Sequence, residues 1–424
     1  MLRSKWGIMK NKKIKLLAAF IGSISTTFGS IYAISLAQAS NKSELVLSQN
    51  DKNVDNHKNF ASAPLPPEYH QLPFSSFVSG SNIKGDLIYE INEECKTIRI
   101  VGSNLVSGDN VRFFSRVSIQ GGEYSYAVTA INNHAFDGCS QITGMITLPE
   151  ELVTIGDYAF NGCSGITGTL KIPSSVTTIG DHAFDRCTGL NSSLVLPNRL
   201  KYLGDYAFSN CSSIQGTVKI SNFITPFECK IGRYAFESCT HIEKVILPNN
   251  ITKIDTGAFI SCTALKEINL PESLEVINDS VFKNCSSLKF DNLNLPENLT
   301  TINASAFEGC SQITGTLTIS NSITQISSYC FKGCSNIENI VFSEKLEVID
   351  DEAFSGCNKI TSVDFPETLE RINKEAFFQS VNTSLTSSLK IPESVKIIGD
   401  HAFYNSANTS TEIKYTVEGI GLNV

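Results

Sequence analysis

From about residue 131 onward, apolar side chains return in one fixed order. Each unit reads as an Ala-Phe pair, a Cys three residues after the Phe, an aliphatic three further on, an x-Leu-x-Leu-Pro stretch, and a second aliphatic pair. In one unit this is Asp157-Tyr158-Ala159-Phe160-Asn161-Gly162-Cys163, then Ile166, then Thr169-Leu170-Lys171-Ile172-Pro173, then Val176 and Ile179. The key phenylalanines are 136, 160, 184, 208, 236, 259, 282, 307, 331, 354, 377 and 403, spaced by 23 to 28 residues. Strand side chains alternate faces, so Leu170 and Ile172 are expected to point inward and Lys171 outward. Pro173 ends that strand. The aspartates before Ala-Phe, at 157, 181, 205, 279, 351 and 400, are placed to cap a helical turn that carries Phe and Cys into the opposite side of the core.

A period in the twenties with x-Leu-x-Leu cores marks a leucine-rich repeat, in which one unit cannot bury its own apolar face and stacking is compulsory. The predicted fold is therefore a leucine-rich-repeat solenoid of the α/β type, with short strands and short helical or 3-10 turns. About twelve coils are expected over 131–405, with a C-terminal cap at 406–424. Residues 74–130 break into short alternating stretches such as Gly85-Asp86-Leu87-Ile88-Tyr89-Glu90-Ile91, which suit paired strands and predict a β-rich N-terminal cap. Residues 40–73 have no apolar period and hold Pro64, Pro66, Pro67 and Pro73, the composition of a flexible polar stalk.

The first 39 residues stand apart. Arg3, Lys5, Lys10, Lys12, Lys13 and Lys15 precede an apolar run over 16–36 and then Ala37-Gln38-Ala39, the layout of a secretory signal with a small-residue cleavage site. Met9 begins a tidier version of that signal. The run is also long enough to span a bilayer as an uncleaved anchor. In both cases the rest of the chain is exported, to be secreted or held at the cell surface. The formal charge of the chain is −8; removing six cations with the leader takes it to −14. That balance argues against nucleic acid as a partner.

The Ile-Gly-Asp-Tyr-Ala-Phe-Asn-Gly-Cys run at 155–163 and Leu-Pro-Glu-Ser-Leu-Glu-Val-Ile at 270–277 resemble the BspA-type, or Treponema pallidum-type, leucine-rich repeat. The resemblance covers roughly residues 120–405. It implies an exported surface protein of a bacterium or protist engaged in adhesion. Departures are local: Val281 and Cys330 stand for Ala, Ser380 and Ser406 stand for Cys, and one 28-residue unit carries Phe223-Ile224-Thr225-Pro226-Phe227.

Ten of the 13 cysteines follow the repeat Phe by three residues and predict a column of buried, reduced thiols, since parallel side chains in stacked coils hold Cβ atoms too far apart for a disulfide. Cys95, Cys229 and Cys330 lie off that register. No Cys-x-x-Cys is present, and neither a metal nor a cofactor is expected. His134, His182 and His401 share a position with Tyr158, Tyr206, Tyr234 and Tyr329, which points to surface packing before catalysis. The protein is not expected to be an enzyme. The candidate ligand-binding residues are the outward positions of the expected concave sheet: Lys171, Val195, Lys219, Ile246, Asn269, Asn294, Thr318, Val341, Asp364 and Lys390, preceded by Thr147, with Lys244 in a flanking row. The row predicts non-covalent binding of an extracellular protein or glycan. The alternative is a passive structural or antigenically variable surface protein with no dedicated ligand.

Overall fold

Each coil has three short sides, and successive coils are joined side to side by backbone hydrogen bonds along most of the stack. The computed structural model describes residues 69–73, 77–119, 124–221, 230–380 and 390–404, all within the unit Asn56–Val424. The leader at 1–39, the stalk up to residue 68, Cys229 and the C-terminal cap at 406–424 lie outside the described residues. Among the described residues no helix is long and apolar enough to cross a membrane.

The first side of each coil is the x-Leu-x-Leu strand. Leu194–Val195, Gly216–Lys219, Ile242–Ile246 and Glu267–Ile268 form one parallel sheet. Leu293–Asn294, Gly315–Thr318, Ile337–Val341 and Ser362–Asp364 form the next. The second side carries two-residue strands such as Thr154–Ile155, Thr178–Ile179 and Tyr202–Leu203, paired in parallel register. On both sides the inward aliphatics, such as Leu194, Val218, Ile179 and Leu203, are buried.

The third side differs from the capped helical turn read from the sequence, because no helix occurs among the described residues. In the coil of Phe160, Ala159, Asn161 and Cys163 N–H groups donate to the carbonyls of Gly156, Tyr158 and Phe160, three successive i to i+3 turns. The intervening N–H groups of Tyr158, Phe160 and Gly162 leave the coil and donate to Asp181, Ala183 and Asp185 carbonyls at 2.7–2.8 Å. In a helical turn capped by Asp157, the Tyr158 and Phe160 N–H groups would have no partner within the helix and would face the cap or water. The path requires left-handed residues, seen at Tyr158 (φ 56) and Gly162 (φ 67) and at equivalent sites along the stack. Each non-glycine residue in that region costs about 1–2 kcal/mol, offset here by an inter-coil bond that a right-handed turn could not make.

The aspartates accordingly do not cap helices. Asp157 Oδ1 accepts the Asp181 N–H, Asp181 Oδ1 the Asp205 N–H, and Asp205 Oδ1 the Arg233 N–H, at 2.8–2.9 Å. Asp279 and Asp351 do the same for Ala304 and Lys374. The column is a side-chain ladder running along the stack.

The core between the three sides is a continuous column of the twelve repeat phenylalanines, with neighbouring ring centroids 5.1–5.9 Å apart. Beside it runs the thiol column. Cys187 Sγ donates to the Phe160 carbonyl of the preceding coil at 3.1 Å, and that oxygen also accepts the Cys163 N–H of its own coil. The same bond recurs from Cys163 to Cys357, and Ser380 Oγ replaces it towards Phe354. All described cysteines are free thiols; Cys330, off register, is buried, and Cys95 is exposed.

The N-terminal strands close the first coil. His70–Pro73 already pairs antiparallel with Asp86–Asn92, so strand pairing begins inside the stretch expected as stalk. Thr97–Ser103 joins Ser125–Ile131 in parallel, which joins Thr154–Ile155. Phe113 places its ring edge-on against Phe136, 5.5 Å away, so the first repeat ring meets an apolar surface instead of water.

Candidate binding face

The x-Leu-x-Leu side presents the predicted outward row in register. Val195 pairs with Lys219 and Lys219 with Ile246; farther along, Asn294, Thr318, Val341 and Asp364 pair in sequence. Thr147 bridges to Lys171. Lys171, Lys219, Asn294 and Asp364 are exposed, Ile246 and Thr318 half-buried, and Val195 and Val341 keep 56% and 51% of their surface open. Lys390 is exposed but stands on no strand, and residues 381–389 before it lie outside the described residues.

Two predicted members are spent on the scaffold. The Asn269 amide accepts the Leu247 N–H at 2.7 Å and donates to the Leu247 carbonyl at 3.1 Å, standing in for the strand that stops at Ile268. Lys244 is paired with Glu267 at 2.5 Å. The flanking row does similar work where the ladder opens: Asn110 and Asn292 accept the N–H groups of Met145 and Thr316 at 3.0 and 2.9 Å.

One member was missed by the sequence reading. Arg112, in the cap strand Ser107–Phe113, bridges in parallel to Thr147 and is exposed between buried Val111 and Phe113. The signal was available, since Val111-Arg112-Phe113 alternates like Leu170-Lys171-Ile172. It fell in the cap, outside the Phe period, and was not aligned with the row.

The third side also carries a stacked aromatic column. His134, Tyr158, His182, Tyr206 and Tyr234 stack as a column with centroids 4.5–4.9 Å apart. His134 Nδ1 lies 2.8 Å from Asp137 and His182 Nδ1 3.1 Å from Asp185. Both pairs repeat one position of the coil, and both histidine rings lie against tyrosines, so the arrangement is periodic packing. Burial raises the carboxyls of Asp157 and Asp205 above the usual range, against the backbone N–H each accepts. Among the described residues no cluster of three or more His, Cys, Asp or Glu could hold a metal ion.

The family model described as the BspA type leucine rich repeat region matches residues 109–230, 190–314, 287–410 and 378–424. A leucine-rich repeat protein from Bacteroides ovatus is 24% identical, over 76% of this chain and 91% of that one, with a TM-score of 0.52. That likeness shows a shared fold. The leucine-rich repeat protein of T. pallidum is 26% identical over 52% of this chain and 91% of its own, with a TM-score of 0.41. A leucine-rich cell surface protein from Faecalibacterium prausnitzii is 22% identical over 78% and 92%, with a TM-score of 0.43. No curated protein matches the chain. With the family model matching most of the sequence, the chain belongs to the BspA-type leucine-rich-repeat family.

Proposed function

We propose that this is an exported, surface-associated protein that binds an extracellular protein or glycan non-covalently through the x-Leu-x-Leu face. The observation that carries the reading is the outward row itself. It holds half-exposed valines at 195 and 341, on two successive parallel sheets, and the exposed Lys171 and Lys219, and neither lysine has a carboxylate partner among the described residues. Solenoids commonly bind through such extended sheets. The leader supports export. Catalysis is the poorer reading, because the His–Asp pairs recur as equivalent elements of a stack and converge on no third, unlike group.

The test is binding of the full chain to arrays of extracellular-matrix proteins and glycans. Val195→Asp with Val341→Asp is expected to weaken capture at least about tenfold, the scale of losing one or two well-buried contacts at an interface. Ser164→Asp, on the turn side, should leave it unchanged. Equal capture by both variants would sink the face assignment.

A further inference from the structure

We propose that the first half of this face takes a linear acidic polysaccharide with one anionic group per two-sugar repeat, laid along the stack. The proposal rests on the binding reading above and names its ligand class.

The outward row begins in the cap. Arg112 is in register with Thr147, Thr147 with Lys171, and Val195 with Lys219. Between Lys171 and Val195 the ladder opens, and Asn191 Oδ1 joins the coils by accepting the Gly168 N–H at 2.9 Å. Cations thus occupy every second position: Arg112, Lys171 and Lys219, separated by Thr147 and Val195. At one strand spacing per coil, successive cations stand about 9.6 Å apart at their backbones.

The nearest acid on this run, Asp109, accepts the Thr143 hydroxyl at 3.2 Å and pairs with none of the three cations. None of the three has a carboxylate partner among the described residues, and the flanking Asn110, Met145, Thr169, Ser193 and Thr217 include no acid. The picture changes from the strand of Ile246 onward. There Lys244 meets Glu267, Lys266 meets Glu243 at 3.2 Å, and Lys289 meets Asp291 at 3.3 Å. A chain of net charge −8 therefore keeps three cations of one short run without a carboxylate partner among the described residues and pairs the lysines of its continuation.

The spacing separates the polyanions that could answer it. Phosphates along one nucleic-acid strand repeat about every 3.4 Å of axis. An extended acidic peptide offers side chains on one face about every 6.6 Å. Two-sugar units of extended, equatorially linked uronate glycans carry their carboxylate at intervals close to two coil steps. Thr147, Thr169 and Thr217 supply hydroxyls for sugar hydroxyls, and the exposed Met145 and Val195 give apolar ground for sugar C–H faces. Three separated charges predict modest, salt-sensitive affinity that grows with ligand length.

The experiment is titration of the full chain with linear uronate oligosaccharides of one, two, three and four disaccharides, and with the same glycans after carboxyl reduction. Affinity is expected to rise up to three disaccharides and level off, to fall with added salt, and to vanish on carboxyl reduction. Arg112→Gln with Lys171→Gln and Lys219→Gln should weaken the longest ligand at least about tenfold, as loss of charge-assisted contacts requires. Lys244→Gln with Lys266→Gln, whose charges are already paired, should change it less than twofold. All five side chains are exposed, and unchanged thermal unfolding verifies that the variants fold. Equal binding of the reduced glycan, equal binding by the triple variant, or no uronate binding at all would overturn the proposal. If uronates fail while Val195→Asp with Val341→Asp still abolishes matrix capture, the ligand class falls and the face stands.

Discussion

Eleven thiols, from Cys139 to Cys357, are buried in the core. Burial raises every one of them above its ordinary value, and Cys262 is pushed up to about 12. The thiolate is the reactive form, so these groups are inert while folded. Unfolding returns them to an ordinary thiol, near 8.5. Above that pH the unfolded chain loses protons that the folded chain keeps, so stability is complete below it and declines as pH rises towards the folded values. Each thiol contributes about 1.4 kcal/mol per pH unit in that window. The urea midpoint is therefore expected to fall steeply between pH 9 and 11, and a chain with Cys211, Cys239 and Cys262 each replaced by Ser should show a visibly shallower fall. Ser380, which makes the same bond to Phe354 in a native coil, indicates that the replacement is accommodated. A pH-independent midpoint would refute the burial argument.

At the scale of the element, the turn side shows where sequence reading stopped. The Phe period, the strand faces and the buried thiols were legible because each depends on which side a residue occupies. Whether 156–163 forms a helical turn or three linked turns was not, because both put Phe160 and Cys163 inward and both favour Asp at the start. The difference lies in where alternate N–H groups go, and that is decided by the next coil. Asp181 separates the two: it accepts the Asp205 N–H at 2.9 Å and the Tyr202 hydroxyl at 2.8 Å, and burial, then Asp181 itself, keeps that phenol protonated well above its ordinary value. Asp181→Ala should cost about 1–2 kcal/mol, as two half-buried groups lose their acceptor, with Asp181→Asn recovering most of it. Hydrogen exchange should quicken at the Asp205 amide in the next coil. Faster exchange confined to 182–184 would favour a cap over a ladder.

At the scale of the whole molecule, the binding row joins two parts that the sequence kept separate, which is why Arg112 went unread: its place beside Thr147 follows from cap docking and from no repeat spacing. The scaffold contacts of Asn269 and Lys244 went unread for the opposite reason, since alternation reports which side chains face outward and is silent on what they meet there. The docking of the cap has its own consequence. In a stack where each coil touches only its neighbours, stability is a sum of coil and interface terms, and an end without cover frays. The Phe113 ring covers Phe136, the first of the column. Phe113→Ala should cost about 3–5 kcal/mol at that interface. The loss should be local. Amide exchange is expected to accelerate in the coils of Phe136 and Phe160 and to remain unchanged beyond Phe307, because no contact carries the loss past successive interfaces. Uniform acceleration along the array would show that the coils unfold as one cooperative block. In that case an occupied site on the first coils would stabilise the far end as well, and the two halves of the face could not act separately.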